Sequence, residues 1–236
     1  MKLTIVVHTY NEAENIENLI EKLIRLNLGA KIIIVDDNSP DKTGEIATRF
    51  AKKHKKIKVI LREKKLGLGS AYKVGFAKAL SEGAGLIVGM DADLSHDPEV
   101  IPEMLQRIEK SDVVIGSRYV KNGKVIGFEK WRSLLSLAAQ LICRILLGLN
   151  IHDSTSAFRV YRRKVLEDVD FKSIKSEGYS FLIELIFRVE KKGFKISEIP
   201  IRFKVREKGP SKISQDEIFK AVGTARKLLA GSLLSR

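Results

Sequence analysis

Short apolar runs alternate with segments of helical periodicity from the first residues to Gly116. Residues 3–7, 31–35, 57–61, 86–90 and 112–116 each read as a buried strand, being short, apolar and bounded by turn formers. Between the first two, Ile16, Leu19, Ile20, Leu23 and Ile24 mark one face of a helix. Further helices are predicted over 43–53, from Gly67 to Leu80, and from Pro98 onward. Thr9-x-x-Glu12 predicts a capping box at the first helix. Strict alternation of this kind predicts an α/β fold with a doubly wound, mostly parallel sheet.

In such a sheet ligands bind beyond the carboxyl ends of the strands. Two acidic turns fall there: Asp36-Asp37 after the second strand and Asp91-x-Asp93 after the fourth. Asp is a common turn former, so either turn taken singly is weak. Together they bring hard oxygen ligands to one edge. That suits Mg²⁺ or Mn²⁺ held by a few carboxylates and the oxygens of a diphosphate.

The 236 residues suffice for one large domain or two small ones with a real core. With 44% hydrophobic and 31% charged residues the chain reads as globular. Its single cysteine, Cys143, excludes an intrachain disulfide and fits a reducing compartment. No signal peptide is expected, because the first apolar run is too short. The net charge of +14 favours anionic partners: phosphorylated substrates, anionic lipid or nucleic acid. The cations do not alternate with stacking aromatics, which argues against single-stranded nucleic acid. Lys52-Lys53-His54-Lys55-Lys56 reads as an exposed helix end.

In the second half, 157–161 and 196–205 predict strands, and 180–191 and 216–232 predict helices. Residues 131–149 are rich in Leu, Ile and Ala but carry Arg132 and Arg144. That stretch is too short and charged for a membrane span. It fits an ordinary buried helix or an interfacial amphipathic one, and the residues alone favour burial.

Other constellations are weaker. Gly67-x-Gly69 has Tyr at 72 in place of a third Gly and lacks Gly-Lys-Ser/Thr, so neither a dinucleotide fingerprint nor a P-loop is present. It reads as a tight turn with backbone close to a neighbour. His8, His54, His96 and His152 show no zinc spacing; His96, three residues after Asp93, reads first as shaping the loop, with approach to a metal as the alternative. No Gly-x-Ser-x-Gly elbow occurs. Arg159, Arg162 and Arg163 cluster after Asp153. Separately, Arg202, Lys204 and Arg206 would share one face of an extended strand, and that face is the mark of an anion site or a charge-protected edge.

Seven motifs, in order, resemble one family. They are Thr9-Tyr10-Asn11-Glu12, Val35 to Asp41, Leu66-Gly67-Leu68-Gly69-Ser70-Ala71-Tyr72, Met90-Asp91-Ala92-Asp93-Leu94-Ser95-His96, Gly116-Ser117-Arg118-Tyr119 and Phe158-Arg159-Val160-Tyr161-Arg162, with Gly209-x-Ser211-Lys212 closing the series. Over nearly its whole length the chain resembles the dolichyl-phosphate (polyprenyl-phosphate) mannose synthases of the family 2 glycosyltransferases. The resemblance implies a nucleotide-sugar-binding glycosyltransferase type A fold: a catalytic domain over 1–213, with 128–150 as a membrane-interface helix, and a C-terminal helix over 214–236. It implies inverting transfer of mannose from GDP-mannose to a dolichyl or polyprenyl phosphate with Mg²⁺ or Mn²⁺.

By the same resemblance Tyr10, Glu12 and Asp37 line the nucleoside pocket, with Val35 beside it. Asp91 and Asp93 hold the metal, with Ala92 and Ser95 adjoining in the donor site. Arg118 contacts the sugar or acceptor phosphate, Arg206 and Lys212 the phosphates, and Arg132 and Ser136 the lipid phosphate. Asp93, Arg118 and Arg132 form the catalytic set. His8 departs from the family's usual Pro, Ala157 from a Gly or Ser, and Ser180 from a Lys that follows Gly-Tyr in some relatives. The implied protein is peripheral at the cytoplasmic face of a membrane or leans on a small membrane-protein partner. UDP-glucose as donor and a soluble glycan as acceptor stay open; a sugar hydroxyl would need a base, for which Asp153 is the candidate.

Overall fold

The computed structural model describes residues 1–127, 129–204 and 223–230. Five apolar runs become parallel strands: β1 (Leu3–Thr9), β2 (Lys31–Asp36), β3 (Ile57–Leu61), β4 (Leu86–Asp91) and β5 (Val113–Ser117). In β1, Ile5 and Val7 pack on one face and Val6 on the other, so both faces are buried, as a sheet with helices on each side requires. Helices α1 (Ile16–Arg25), α2 (Thr43–Lys53) and α4 (Ile101–Arg107) cover one face; α3 (Leu68–Ser81) covers the other. The Lys52 to Lys56 run lies at the end of α2 with its lysines exposed.

The main sheet runs β3-β2-β1-β4-β7-β5-β8. Strand β7 (Arg159–Arg162) is antiparallel to β4 and β5, and β8 (Ile196–Pro200) is parallel to β5. Strand order reverses between β1 and β4, and a doubly wound sheet has its ligand crevice at such a point, beyond the carboxyl ends. Opposite His8 in that register stands Asp91.

Several expectations need correction. The predicted capping box does not form: Thr9 ends β1, and α1 begins at Ile16 after Asn15. The Glu12 carboxylate instead accepts from Asn15 Nδ2 at 2.8 Å, and its backbone N–H donates to Thr43 Oγ1 at 2.8 Å. The strand expected over 196–205 is two strands. Pro200 has no N–H with which to extend the ladder. The chain then leaves the main sheet as β9 (Arg202–Lys204), which pairs with β6 (Lys124–Ile126). The Arg159, Arg162 and Arg163 cluster is spent on backbone carbonyls. Arg159 is fully buried and donates to the carbonyls of Leu182 and Ser154, Arg162 to those of Ser111 and Ile108, and Arg163 to that of Leu80.

The largest correction concerns α5 (Lys130–Leu147), which is not a buried helix. Leu134 is 68% exposed, Ile145 70%, and Trp131, Leu137, Leu141 and Ile142 are also open. The side it turns inward is mixed, carrying Gln140 together with Cys143 and Leu147, which join the core. Gln140 is buried: its Oε1 accepts from Ser154 N–H and Oγ, and its Nε2 donates to Thr155 Oγ1. Among the described residues no helix is long and apolar enough to cross a membrane. The predicted boundary at 213 falls outside the described residues. Helices α6 (Arg163–Asp168) and α7 (Gly178–Lys191) complete the fold, and α7 packs against α3 at Gly69, where a Cβ would lie 2.7 Å from Phe181 Cβ.

Candidate active site

The crevice between β1 and β4 collects the acidic turns. At the end of β4, Asp91 Oδ1 accepts from the Tyr72 hydroxyl at 3.3 Å, and its Oδ2 lies 4.0 Å from His96 Nδ1. The following turn places Leu94 at φ +60° and folds Ser95 back on Asp93. Asp93 Oδ1 accepts from the Ser95 N–H at 3.1 Å and from its hydroxyl at 2.5 Å. Ser95 is therefore spent on orienting Asp93. Ala92 is buried in the core, so only its backbone can face a ligand.

Burial pushes the Tyr72 hydroxyl well up, and the Asp91 charge adds to this, so Tyr72 is a neutral donor. Burial pushes the His96 imidazole down to about 4 against the opposing pull of Asp93. His96 is thus neutral near pH 7.

On the other wall, the Asp37 carboxylate is fully buried. It accepts from Arg62, from Leu66 N–H at 2.9 Å and from Gly67 N–H at 2.7 Å. Asp37 clasps the 62–67 loop, with Arg62 also donating to Ser70 Oγ at 2.7 Å. Tyr10 is half-buried, and Lys65 Nζ sits 4.0 Å from its ring centre. Glu12 is buried beside them. Val35, expected beside the nucleoside, is sealed in the core under α3, where a Cβ on Gly75 would lie 3.3 Å from its Cγ2. Its side chain cannot reach the crevice.

On the acceptor side, Arg118 follows β5. Its Nε donates to Asp153 Oδ2 at 2.7 Å; its Nη2 donates to Asp153 Oδ1 and Thr155 Oγ1, each at 2.7 Å. Burial alone would raise the Asp153 carboxyl, but the Arg118 charge and hydrogen bonds hold it below its usual value. An ionised carboxylate consumed by a buried arginine is a poor general base, which corrects the role considered for Asp153. Tyr119 and Ser136 share a hydroxyl–hydroxyl bond of 2.7 Å, joining this loop to α5. Arg132 belongs to the first turn of α5, and its side chain lies outside the described part. Arg202 and Lys204 do share the exposed face of β9, but Arg206 and Lys212 lie outside the described residues.

Asp91 and Asp93 are two oxygen donors of the type Mg²⁺ or Mn²⁺ takes. Among the described residues no third His, Cys, Asp or Glu converges with them. Such an ion usually keeps several waters and binds through one or two carboxylates plus substrate phosphates, so the donor set fits. Sequence reasoning missed Tyr72, Arg62, Gln140 and Thr155. Arg62 alone carried a signal, as a cation at a strand end facing an acidic turn.

Residues 4–170 match the model of the family described as "Glycosyl transferase family 2". The chain belongs to that family. It is a glycosyltransferase. It is 39% identical to undecaprenyl-phosphate mannosyltransferase of Micrococcus luteus, over 94% of this chain and 91% of that protein. It is 40% identical to polyprenol monophosphomannose synthase of Mycolicibacterium smegmatis, over 92% and 83%. It is 40% identical to dolichol-phosphate mannosyltransferase of Pyrococcus furiosus, covering 93% of this chain but 61% of that one. Among solved structures, glucosyl-3-phosphoglycerate synthase of Mycobacterium tuberculosis superimposes with a TM-score of 0.67 at 18% identity, over 97% of this chain and 80% of that one. Mannosyl-3-phosphoglycerate synthase of Rubrobacter xylanophilus gives 0.66 at 16%, over 100% and 74%. At such identities these two speak for the fold alone, which is the type A glycosyltransferase fold.

Proposed function

We propose that this glycosyltransferase moves mannose from GDP-mannose to a polyprenyl phosphate at a membrane surface, inverting the anomeric centre. The reading is carried by one juxtaposition. The acidic turns gather at the strand switch point, and α5, which exposes an apolar face, is bonded through Ser136 to Tyr119 and through Gln140 to Thr155, next to Arg118. The names of the three curated relatives supply the sugar and the lipid-phosphate class. A neighbour of the same fold, glucosyl-3-phosphoglycerate synthase of Mycobacterium tuberculosis, was solved with Mn²⁺ and UDP-glucose, so the fold has room for a divalent ion beside a nucleotide sugar.

Asp91 and Asp93 would hold Mg²⁺ or Mn²⁺, which neutralises diphosphate charge when bound. Tyr72 and Ser95 orient those two carboxylates. Tyr10 and Glu12 face the nucleoside, and Asp37 keeps the 62–67 loop closed over that side. Arg118, pre-set by Asp153 and Thr155, and Arg132 and Ser136 on α5 receive the acceptor phosphate. Arg206 and Lys212 meet the departing diphosphate.

A phosphomonoester is already largely dianionic near pH 7, its second pKa being about 6. Its oxygen bonds to the anomeric carbon as the bond to the nucleoside diphosphate breaks, and the leaving oxygen keeps the electron pair. No proton need be removed, which agrees with Asp153 being locked in an ion pair. The protein's contribution is positioning and charge stabilisation.

The test is incubation with Mn²⁺, a short polyprenyl phosphate and either GDP-mannose or UDP-glucose. Mannolipid from GDP-mannose alone is the expected result. Glucolipid, or sugar transfer to a soluble glycan without lipid, overturns the donor or the acceptor assignment. Asp91→Asn should cut turnover at least a hundredfold with an unchanged melting profile.

A further inference from the structure

His96 lies outside regular secondary structure, three residues past Asp93, and is 2% exposed. Its ring stacks on Phe158 at 5.2 Å and 22°, and meets Phe203 edge-on at 5.5 Å and 68°. Its Nδ1 is buried with no hydrogen-bond partner, 4.0 Å from Asp91 Oδ2. An unsatisfied buried polar atom costs about 1–3 kcal/mol. The fold tolerates that cost beside Asp91, one of the two carboxylates of the acidic turn after β4. Packing alone does not account for it, because a phenyl ring would fill the same slot without an orphan nitrogen.

The surroundings point the same way. The Lys204 N–H donates to the Ser95 carbonyl at 3.3 Å, fastening the turn after Asp93 to β9. Phe203 of β9 also lies under the Arg118 guanidinium, 5.2 Å from its ring centre. One aromatic ring therefore touches both His96 on the donor side and Arg118 on the acceptor side. Because no three ligand-type side chains converge among the described residues, the imidazole is placed to act through Asp91 and not as a third ligand.

We propose that His96 is a positioning residue, wedged between Phe158 and Phe203 so that Nδ1 fixes the Oδ2 side of Asp91 when that carboxylate takes the metal ion. This rests on the metal role given to Asp91 above. Partners that orient ligating side chains typically matter about 10–100-fold in metal affinity.

The experiment is Mn²⁺ binding followed by electron paramagnetic resonance in the presence of GDP, with thermal melting alongside. His96→Phe keeps the ring and deletes the nitrogen; His96→Asn keeps a polar atom near Nδ1 and deletes the ring. The expected result is a Mn²⁺ Kd raised about 10–100-fold in His96→Phe, with melting nearly unchanged, and most of the affinity kept in His96→Asn. The donor KM of His96→Phe at fixed Mn²⁺ should rise and recover as Mn²⁺ is raised. Wild-type Mn²⁺ affinity in His96→Phe overturns the proposal, as does equal weakening in both variants. Absence of Mn²⁺ binding in the wild type overturns the metal reading itself, and the inference with it.

Discussion

Arg118 and Asp153 face each other as a fork on a carboxylate, two 2.7 Å bonds excluded from solvent. The Arg118 backbone N–H adds a third bond to Asp153 at 3.0 Å, so the pair fixes the chain as well as the side chain. Breaking a buried pair from one side leaves an uncompensated charge, at a cost of about 3–5 kcal/mol. Asp153→Ala should lose that much stability in urea denaturation. Arg118→Lys keeps the charge but cannot bridge Asp153 and Thr155 together. Its turnover should fall at least tenfold, measured with donor and lipid acceptor.

Most of this sheet could be read from sequence because its strands are buried on both faces, which leaves unbroken apolar runs such as Ile32-Ile33-Ile34-Val35. The acidic turns were readable for the same reason, since a run that stops at Asp marks a strand's carboxyl end. What the sequence hid was direction. The apolar stripe of α5 has one periodicity whether it faces a core or open solvent, and the bonds of Gln140 to Ser154 and Thr155 that fix which side turns inward leave no local pattern. The Arg159, Arg162 and Arg163 cluster had no readable role, because a guanidinium that satisfies buried carbonyls is spelled like any other. The Tyr72–Asp91 bond depends on how α3 sits over β4, which no local pattern encodes.

The close approach of α3 to β1 gives a packing test. A Cβ on Gly75 would fall 2.3 Å from Val6 Cγ1 and 3.3 Å from Val35 Cγ2, both in the sheet core. Gly75→Ala should destabilise by about 1–3 kcal/mol, the usual cost of overpacking. Gly223→Ala, with nothing within 4 Å of the new methyl, is the control and should leave stability unchanged or slightly raised. Equal melting temperatures for Gly75→Ala and wild type would show that helix and sheet separate easily there.

Glu82 at the end of α3 gathers Lys58, Lys31 and Lys78 at 2.7, 2.9 and 3.2 Å, tying α3 to β2 and β3. Hydrogen bonds from Lys58 and then Lys31 lower its carboxyl from 4.5 to about 2. A carboxyl depressed in the folded state stabilises fully above its unfolded value and loses that contribution as pH falls toward the folded one. The lysines are roughly half exposed, so each pair is worth no more than about 1 kcal/mol. Glu82→Gln should therefore melt about 2–4 °C below wild type near pH 7. The gap should hold down to about pH 5 and close as pH approaches 2. A constant gap across that range would rule out the carboxylate as its source.

The exposed face of α5 makes the sharpest prediction about where the enzyme works. Leu134, Leu141 and Ile145 stand on the side away from Ser136 and Gln140, so changing them leaves the bonds to Tyr119, Ser154 and Thr155 intact. Moving one such side chain from water into an apolar phase is worth about 1.5–3 kcal/mol. The double variant Leu134→Glu and Ile145→Glu should lose flotation with vesicles containing anionic lipid, and lose turnover of a long-chain polyprenyl phosphate embedded in them. Turnover of a short-chain acceptor dispersed in detergent should persist, because the crevice and Arg118 are untouched. Vesicle binding that survives both charges would place the membrane contact elsewhere on the molecule. Loss of the detergent reaction as well would mean that α5 supports the crevice itself and not only the route by which the lipid arrives.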